Sequence, residues 1–326
     1  MASGRCRQWV GRLGLIGMLA ACSAQPLAID PATRVAVPAG WSASEAAGAG
    51  AAMTDEAALS SWWLRFDDPQ LAALVAEALN ANTRVLGAVA ALRQAEALRD
   101  VAAAALWPTL DASASAQRPN TGGHNVQAGV DRNWVIDIFG ARRAAIDAGA
   151  SVVQASAASL GDIRVQIAAE VALNYILLRT AEARSAIAAG NLLSQQETLQ
   201  ITRWRQQAGL VTVLETDQAQ TAVEQNRAQL PLLQTSIVQT RHALAVLGGQ
   251  PPEALPAEVA ALAVARVPQA RAGLRLRIPA ETLRQRADVR AAEYQVAAAL
   301  ARVGQALAQR WPSFSIGGSL GVGTAA

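Results

Sequence analysis

With 326 residues, 52% of them hydrophobic but only 4% aromatic, the chain is long enough for one large or two ordinary domains. Ala, Leu, Gln, Arg and Val dominate, a composition for long helices rather than for a globular core rich in Phe, Ile and Tyr. The formal charge of +3 comes from 28 basic residues, all Arg, and 25 acidic ones. Arg5, Arg7 and Arg12 account for all of it, so the rest of the chain is neutral and gives no sign of a surface for nucleic acid.

Residues 1–21 have the layout of a secretory signal: three Arg, then an apolar run too short to span a bilayer, which takes about 20 residues. The run ends in Leu19-Ala20-Ala21-Cys22, which resembles a bacterial lipoprotein signal. That likeness implies acylation of Cys22 as the mature first residue, and Ser23 implies sorting to the outer membrane. Cys6 and Cys22 would then be unavailable for a disulfide or a metal site. Residues 22–60, rich in Ala, Gly, Pro and Ser without periodicity, are a lipidated N-terminal linker.

Regular structure starts in "SWWLRFDDPQL", where Asp67 or Asp68 caps a helix and Pro69 suits its first turn. A helical pattern runs to about Ala105 within a first-unit segment, residues 61–107, and Trp107-Pro108 stops it. The period then changes to two. Leu110, Ala112, Ala114 and Ala116 share one face; Asp111, Ser113, Ser115 and Gln117 share the other, over the length of a membrane-crossing strand, about 9–11 residues. "PNTGGHN" is a turn, and Val126 to Phe139 returns with Val126, Ala128, Val130, Trp134 and Ile136 on one face. Arg132 spoils that face and leaves register or a bulge open. Residues 108–139 are thus a β-hairpin, although apolar faces of this kind also fit a soluble core.

Residues 140–250 form a long helical hairpin. Its first arm, Gly140 to about Gln207, would extend roughly 100 Å. It carries a polar stripe, Asp162, Gln166, Glu170 and Asn174, beside Ile163, Ile167, Val171 and Tyr175. The chain breaks around Gly209. On the return arm Val223, Asn226, Leu230, Leu233, Ile237, Thr240, Leu244 and Leu247 alternate steps of three and four, a coiled-coil repeat. Pro231 should kink it locally, and "LGGQPP" ends it with a Gly cap. A connector occupies residues 251–280, a second-unit helix 281–311, and the start of another strand pair 312–326, where Phe314, Ile316, Leu320 and Val322 alternate with Ser313, Ser315, Ser319 and Gly321.

The two halves are related. A shift of 204 positions superposes Val85, Ala88, Ala95, Trp107, Pro108 and Ser115 on Val289, Ala292, Ala299, Trp311, Pro312 and Ser319 without a gap. Each unit therefore reads helix, strand, strand, helical hairpin. On this spacing a second unit would end near residue 455, about 129 residues beyond the given chain, so the sequence reads as a fragment or truncated product, with the fourth strand and second hairpin outside it. "LAAC", "WWLRFDDPQL", "LWPTL", "NWVIDIFGARR", "RQQAGLVTVLETDQAQ", "RHALAVLGGQPP" and "RADVRAAEYQVAAALARVGQALAQRWPSF", in this order, resemble the TolC-like outer membrane factors, most closely their lipidated NodT-type efflux branch.

The resemblance implies a mainly α protein with membrane β: a duplicated unit of coiled-coil helical hairpins and β-hairpins, here with its second unit incomplete. Three copies would share a twelve-stranded outer-membrane barrel above a periplasmic helical tunnel. It further implies a tip at residues 205–219 that meets a periplasmic adaptor through Arg205, Gly209, Leu210, Val211 and Glu215, with an inner-membrane RND-type pump behind it. Gln206 departs from the family's aromatic at that position, and Ala287 from its Pro. Function would be passive export of drugs or other small molecules, without cofactor or metal. Two readings compete: a non-pore periplasmic lipoprotein whose coiled coil is an interaction module, and a type I protein-secretion channel.

Enzymatic motifs are weak. "GGSLG" at Gly317 to Gly321 matches a nucleophile elbow but lacks the helix, acid and His that must follow. His124 and His242 are too few for a metal site without other ligands.

Overall fold

A computed structural model describes residues 61–118, 125–252, 267–269 and 285–325. Cys22 and its signal, the linker, His124 with most of its turn, and most of the connector lie outside these residues. The described residues fall into two units, one holding 90–159 and 285–325, the other 61–89, 160–252 and 267–269.

In the second unit a 3-10 turn, Trp62–Phe66, leads into α1, Pro69–Ala81. The Asp68 side chain accepts from the N–H groups of Gln70 (2.9 Å) and Leu71 (3.1 Å), satisfying donors the helix start leaves open. Leu71, Leu74, Val75 and Ala78 make its buried stripe. The expected continuous helix is broken at Asn82, after which α2 spans Thr83–Ala104. Asn82 is extended (ψ 129°); its side-chain oxygen accepts from Arg84 N–H and its amide donates to Leu247 O, both at 2.9 Å. One buried amide thus caps the start of α2 and satisfies an orphan carbonyl at the end of the return arm.

The hairpin arms are α3, Ala141–Gln207, and α4, Val213–Leu247. Every residue of the eight-membered heptad seam on α4 is buried or half-buried, as knobs-into-holes packing requires. Pro231 lies inside α4, and the helix continues through it. Two glycines shape the ends of these arms: Gly209 (φ +73°) closes α3, and Gly249 (φ +74°) follows α4. In each case the next N–H bonds back to the carbonyl five residues earlier, Leu210 to Arg205 and Gln250 to Ala245, the Schellman arrangement.

In the first unit, residues 90–104 of α2 and 141–159 of α3 accompany α5, Ala287–Ala308, and three strands: β1, Thr109–Gln117; β2, Asn125–Ile136; β3, Phe314–Ala325. The sheet order is β1-β2-β3, antiparallel throughout. β2 stops at Ile136, short of the expected Phe139, because Asp137 turns to accept from the N–H groups of Arg142 (3.1 Å) and Arg143 (3.0 Å) and caps α3. Ala287 is the first residue of α5, the position a Pro would also suit.

Candidate functional site

The sheet's pairing follows a single offset on each side of β2, from Thr109↔Asn133 to Gln117↔Asn125 and from Asn125↔Ala325 to Ile136↔Phe314. No bulge intervenes at Arg132. Because successive side chains alternate faces, the register sets the two faces of the whole sheet. One carries Leu110, Val126, Val130, Trp134, Ile136, Phe314, Ile316, Leu320 and Val322 with three β1 alanines and one charge, Arg132; the other carries Asp111, Ser113, Ser115, Gln117, Gln127, Asp131, Asn133, Ser315, Ser319, glycines and Val135. Both faces are open: Leu110, Leu320 and Val322 are 71%, 80% and 75% exposed. Asp111 stands directly opposite Asp131 on the polar face, a like-charge pair that only a hydrated surface tolerates cheaply. The outer edges of β1 and β3 have no partner strand among the described residues.

Aromatic side chains gather where strands meet helices. Trp107 is 75% exposed. Trp134 donates from Nε1 to Leu106 O (2.9 Å), and Trp311 stacks on Phe139 with centroids 5.6 Å apart. The helix-to-strand switch is fastened further by Arg142, which donates to Ala105 O.

The hairpin tip is built by caps. Thr212 is the N-cap of α4: its hydroxyl oxygen accepts from Glu215 N–H at 3.4 Å and lies 3.5 Å from the Glu215 carboxylate, satisfying one of the donors the helix start leaves open. Of the expected tip residues, Arg205, Gly209, Leu210 and Glu215 are exposed and Val211 is half-buried. Gln206 turns inward and accepts from the Thr216 hydroxyl (2.9 Å). Trp204, Val213 and Leu214, each about 60% exposed, were not singled out by sequence. The signal was available: stepping the heptad seam back from Val223 reaches Ala219 and Thr216, both half-buried, and leaves Leu214 off the seam.

The second unit also encloses a polar cluster that no motif announced. Arg179 is 1% exposed and donates to Gln70 (2.6 Å) and Glu182 (2.8 Å), while Arg241 reaches the other Glu182 oxygen at 2.8 Å. The Tyr175 hydroxyl donates to Asp68 (2.9 Å), and Arg179 lies 5.0 Å from the Tyr175 ring centre. Burial pushes the Tyr175 hydroxyl above its usual range, partly offset by Arg179. The polar stripe of α3 is engaged as well: Arg84 pairs with Glu170 (3.0 Å) and Gln166 (2.9 Å). At the head of α5, a forked pair with Arg286 holds the exposed Asp288 carboxyl down to about 2. His242 is exposed on α4, and among the described residues no His, Cys, Asp or Glu cluster is arranged to hold a metal ion.

Comparison with known proteins gives a consistent result. A family model described as "Outer membrane efflux protein" matches residues 74–250. The pyoverdine export outer membrane protein OpmQ of Pseudomonas putida is 32% identical over 324 residues, covering 94% of this chain and 66% of its own length. Nodulation protein T of Rhizobium leguminosarum bv. trifolii is 28% identical, covering 80% and 57%. Among solved structures, the outer-membrane channel OprN superposes with a TM-score of 0.73 at 31% identity over 82% of this chain and 66% of its own. VceC from Vibrio cholerae superposes at 0.70 with 27% identity over 81% and 65%. The chain therefore spans about two thirds or less of the length of these proteins.

Proposed function

Since the chain belongs to the outer membrane efflux protein family, we propose that it is the outer-membrane channel component of a tripartite efflux system, a passive conduit for small molecules. The observation that carries this reading is the two-faced sheet. A row of exposed Leu, Val, Ile, Phe and Trp opposite a row of Asp, Ser, Gln and Asn matches a wall with lipid on one side and water on the other. In lipid, strand edges must find partners, which supports closure with strands of further copies, a homotrimer. Transport needs no catalytic group here; the polar face keeps the lumen wet and the pump supplies the energy.

In this proposal Cys22 carries the lipid anchor and the helical part stands in the periplasm. Arg205, Gly209, Leu210, Val211 and Glu215 present the tip to a periplasmic adaptor that connects to an inner-membrane RND-type pump. The geometry sorts these residues. Gly209 and Glu215 act through the Schellman turn and the N-cap of α4, whereas Arg205 and Leu210 are free to touch a partner.

Reconstitution of the purified protein into planar bilayers tests the reading. A heat-resistant trimer with steady ion conductance is expected. A lipid-anchored monomer without conductance would overturn it in favour of a non-pore periplasmic coiled-coil lipoprotein.

A further inference from the structure

We infer that Arg132 forms a binding site for the phosphate of a glycerophospholipid, with anionic head groups preferred, on the lipid-facing side of the sheet. This inference rests on the channel reading above. Arg132 is the single charged residue on the apolar face of the three described strands. Its side chain is exposed and makes no hydrogen bond or ion pair among the described residues. Its lateral neighbours are Leu110 on β1 and Gly318 on β3, and a Cβ at Gly318 would meet nothing within 4 Å. A notch thus opens beside the guanidinium. The acids near it in the sheet, Asp111 and Asp131, point to the opposite face, because strand side chains alternate. The counter-anion must come from outside the sheet.

Depth selects the anion. Trp134 lies two residues further toward the helical end, with Ile316 beside it. Two residues of a strand tilted by about 40° amount to about 5 Å of depth, within the reach of an extended arginine side chain that snorkels toward the head groups. Trp134 is pinned by its bond to Leu106 O, a placement suited to the aromatic belt at a membrane surface. A guanidinium at that level pairs with phosphate oxygens in a forked geometry, while Leu110, Val130 and Leu320 offer apolar surface to the acyl chains. A free phosphate would find the cation but would leave that surface uncovered.

Native mass spectrometry of the purified protein, titrated with phosphatidylglycerol or phosphatidylcholine, tests this. The wild type should retain phosphatidylglycerol preferentially. Arg132→Leu should bind it about five-fold more weakly, the weight of one basic residue at an anionic surface, and Arg132→Lys should keep part of the preference. Equal retention by Arg132→Leu would overturn the site, and so would displacement of the lipid by millimolar inorganic phosphate. Insertion of each variant into vesicles, read from the tryptophan emission shift, separates the two readings. A protein that does not insert overturns the channel reading along with this one, whereas insertion without lipid preference overturns this one alone.

Discussion

The two units of this protein solve the burial problem in opposite ways. In the second unit the buried residues include Leu71, Val75, Ile167, Val171, Leu178, Val223 and Leu244, side chains that each contribute roughly 1.5–3 kcal/mol when removed from water. In the first unit every buried apolar residue among those described is alanine: Ala95, Ala148, Ala155, Ala291, Ala298 and Ala308. Alanine lets helices approach closely, and at Gly149 an added Cβ would come within 3.3 Å of Arg99 Cα. Each such methyl returns only about 0.8 kcal/mol. The large apolar side chains of that unit, Leu98, Val101, Trp107, Leu320 and Val322, remain exposed. One unit is supplied with its own core; the other, in the channel proposed above, is completed from outside by lipid and by further copies. Exposed apolar surface of this extent marks an interface rather than a defect.

The sharpest way to break this contrast is to remove the charge that the second unit buries. Arg179→Ala should cost about 3–5 kcal/mol, because one partner of a buried pair is left behind, with Arg241 holding the loss toward the lower end by keeping its contact to Glu182. Urea unfolding followed by helical circular dichroism measures it. A loss below about 1 kcal/mol would place the cluster in a hydrated setting and weaken the claim of a self-sufficient core.

Next in size is a charge on the apolar face of the first unit. Val322→Arg should cost about 2–4 kcal/mol of folding into vesicles, while Ser319→Arg, on the opposite face, should cost close to nothing. Equal penalties would mean that the two faces do not meet lipid and water respectively.

The smallest effect compares two glycines. Gly249→Ala combines a left-handed φ of +74° with a Cβ only 2.4 Å from Ala81 O; Gly140→Ala has φ +79° but open space around it. The first should cost about 1–3 kcal/mol and the second about 1, as differences in melting temperature. Matching losses would show that crowding at Gly249 relaxes freely, against the tight packing assigned to the second unit.

Several features were legible in the sequence because they rest on local periodicity. The strict alternation of β1 and β3, the heptad seam of α4, the Trp-Pro stops and the Gly209 turn all emerged with the expected residues, since each is set by neighbours within a few positions. The likeness of the two halves at Trp107-Pro108 and Trp311-Pro312 was equally local. Where the expectations differed, a contact outside the element's own side-chain pattern intervened. The Asn82 break answers to Leu247, 165 residues away, and the early end of β2 answers to the capping of α3 by Asp137.

What the sequence by itself determined is therefore the set of elements, their faces and their order. Tertiary structure alone decided which faces find a partner. Only the register sets Arg132 between Leu110 and an empty notch at Gly318, and only packing brings Arg179, Glu182 and Arg241 together from positions 62 residues apart at their widest. Alternation fixes a side chain's face through backbone geometry alone, whereas the burial of a charge depends on what distant segments bring to meet it.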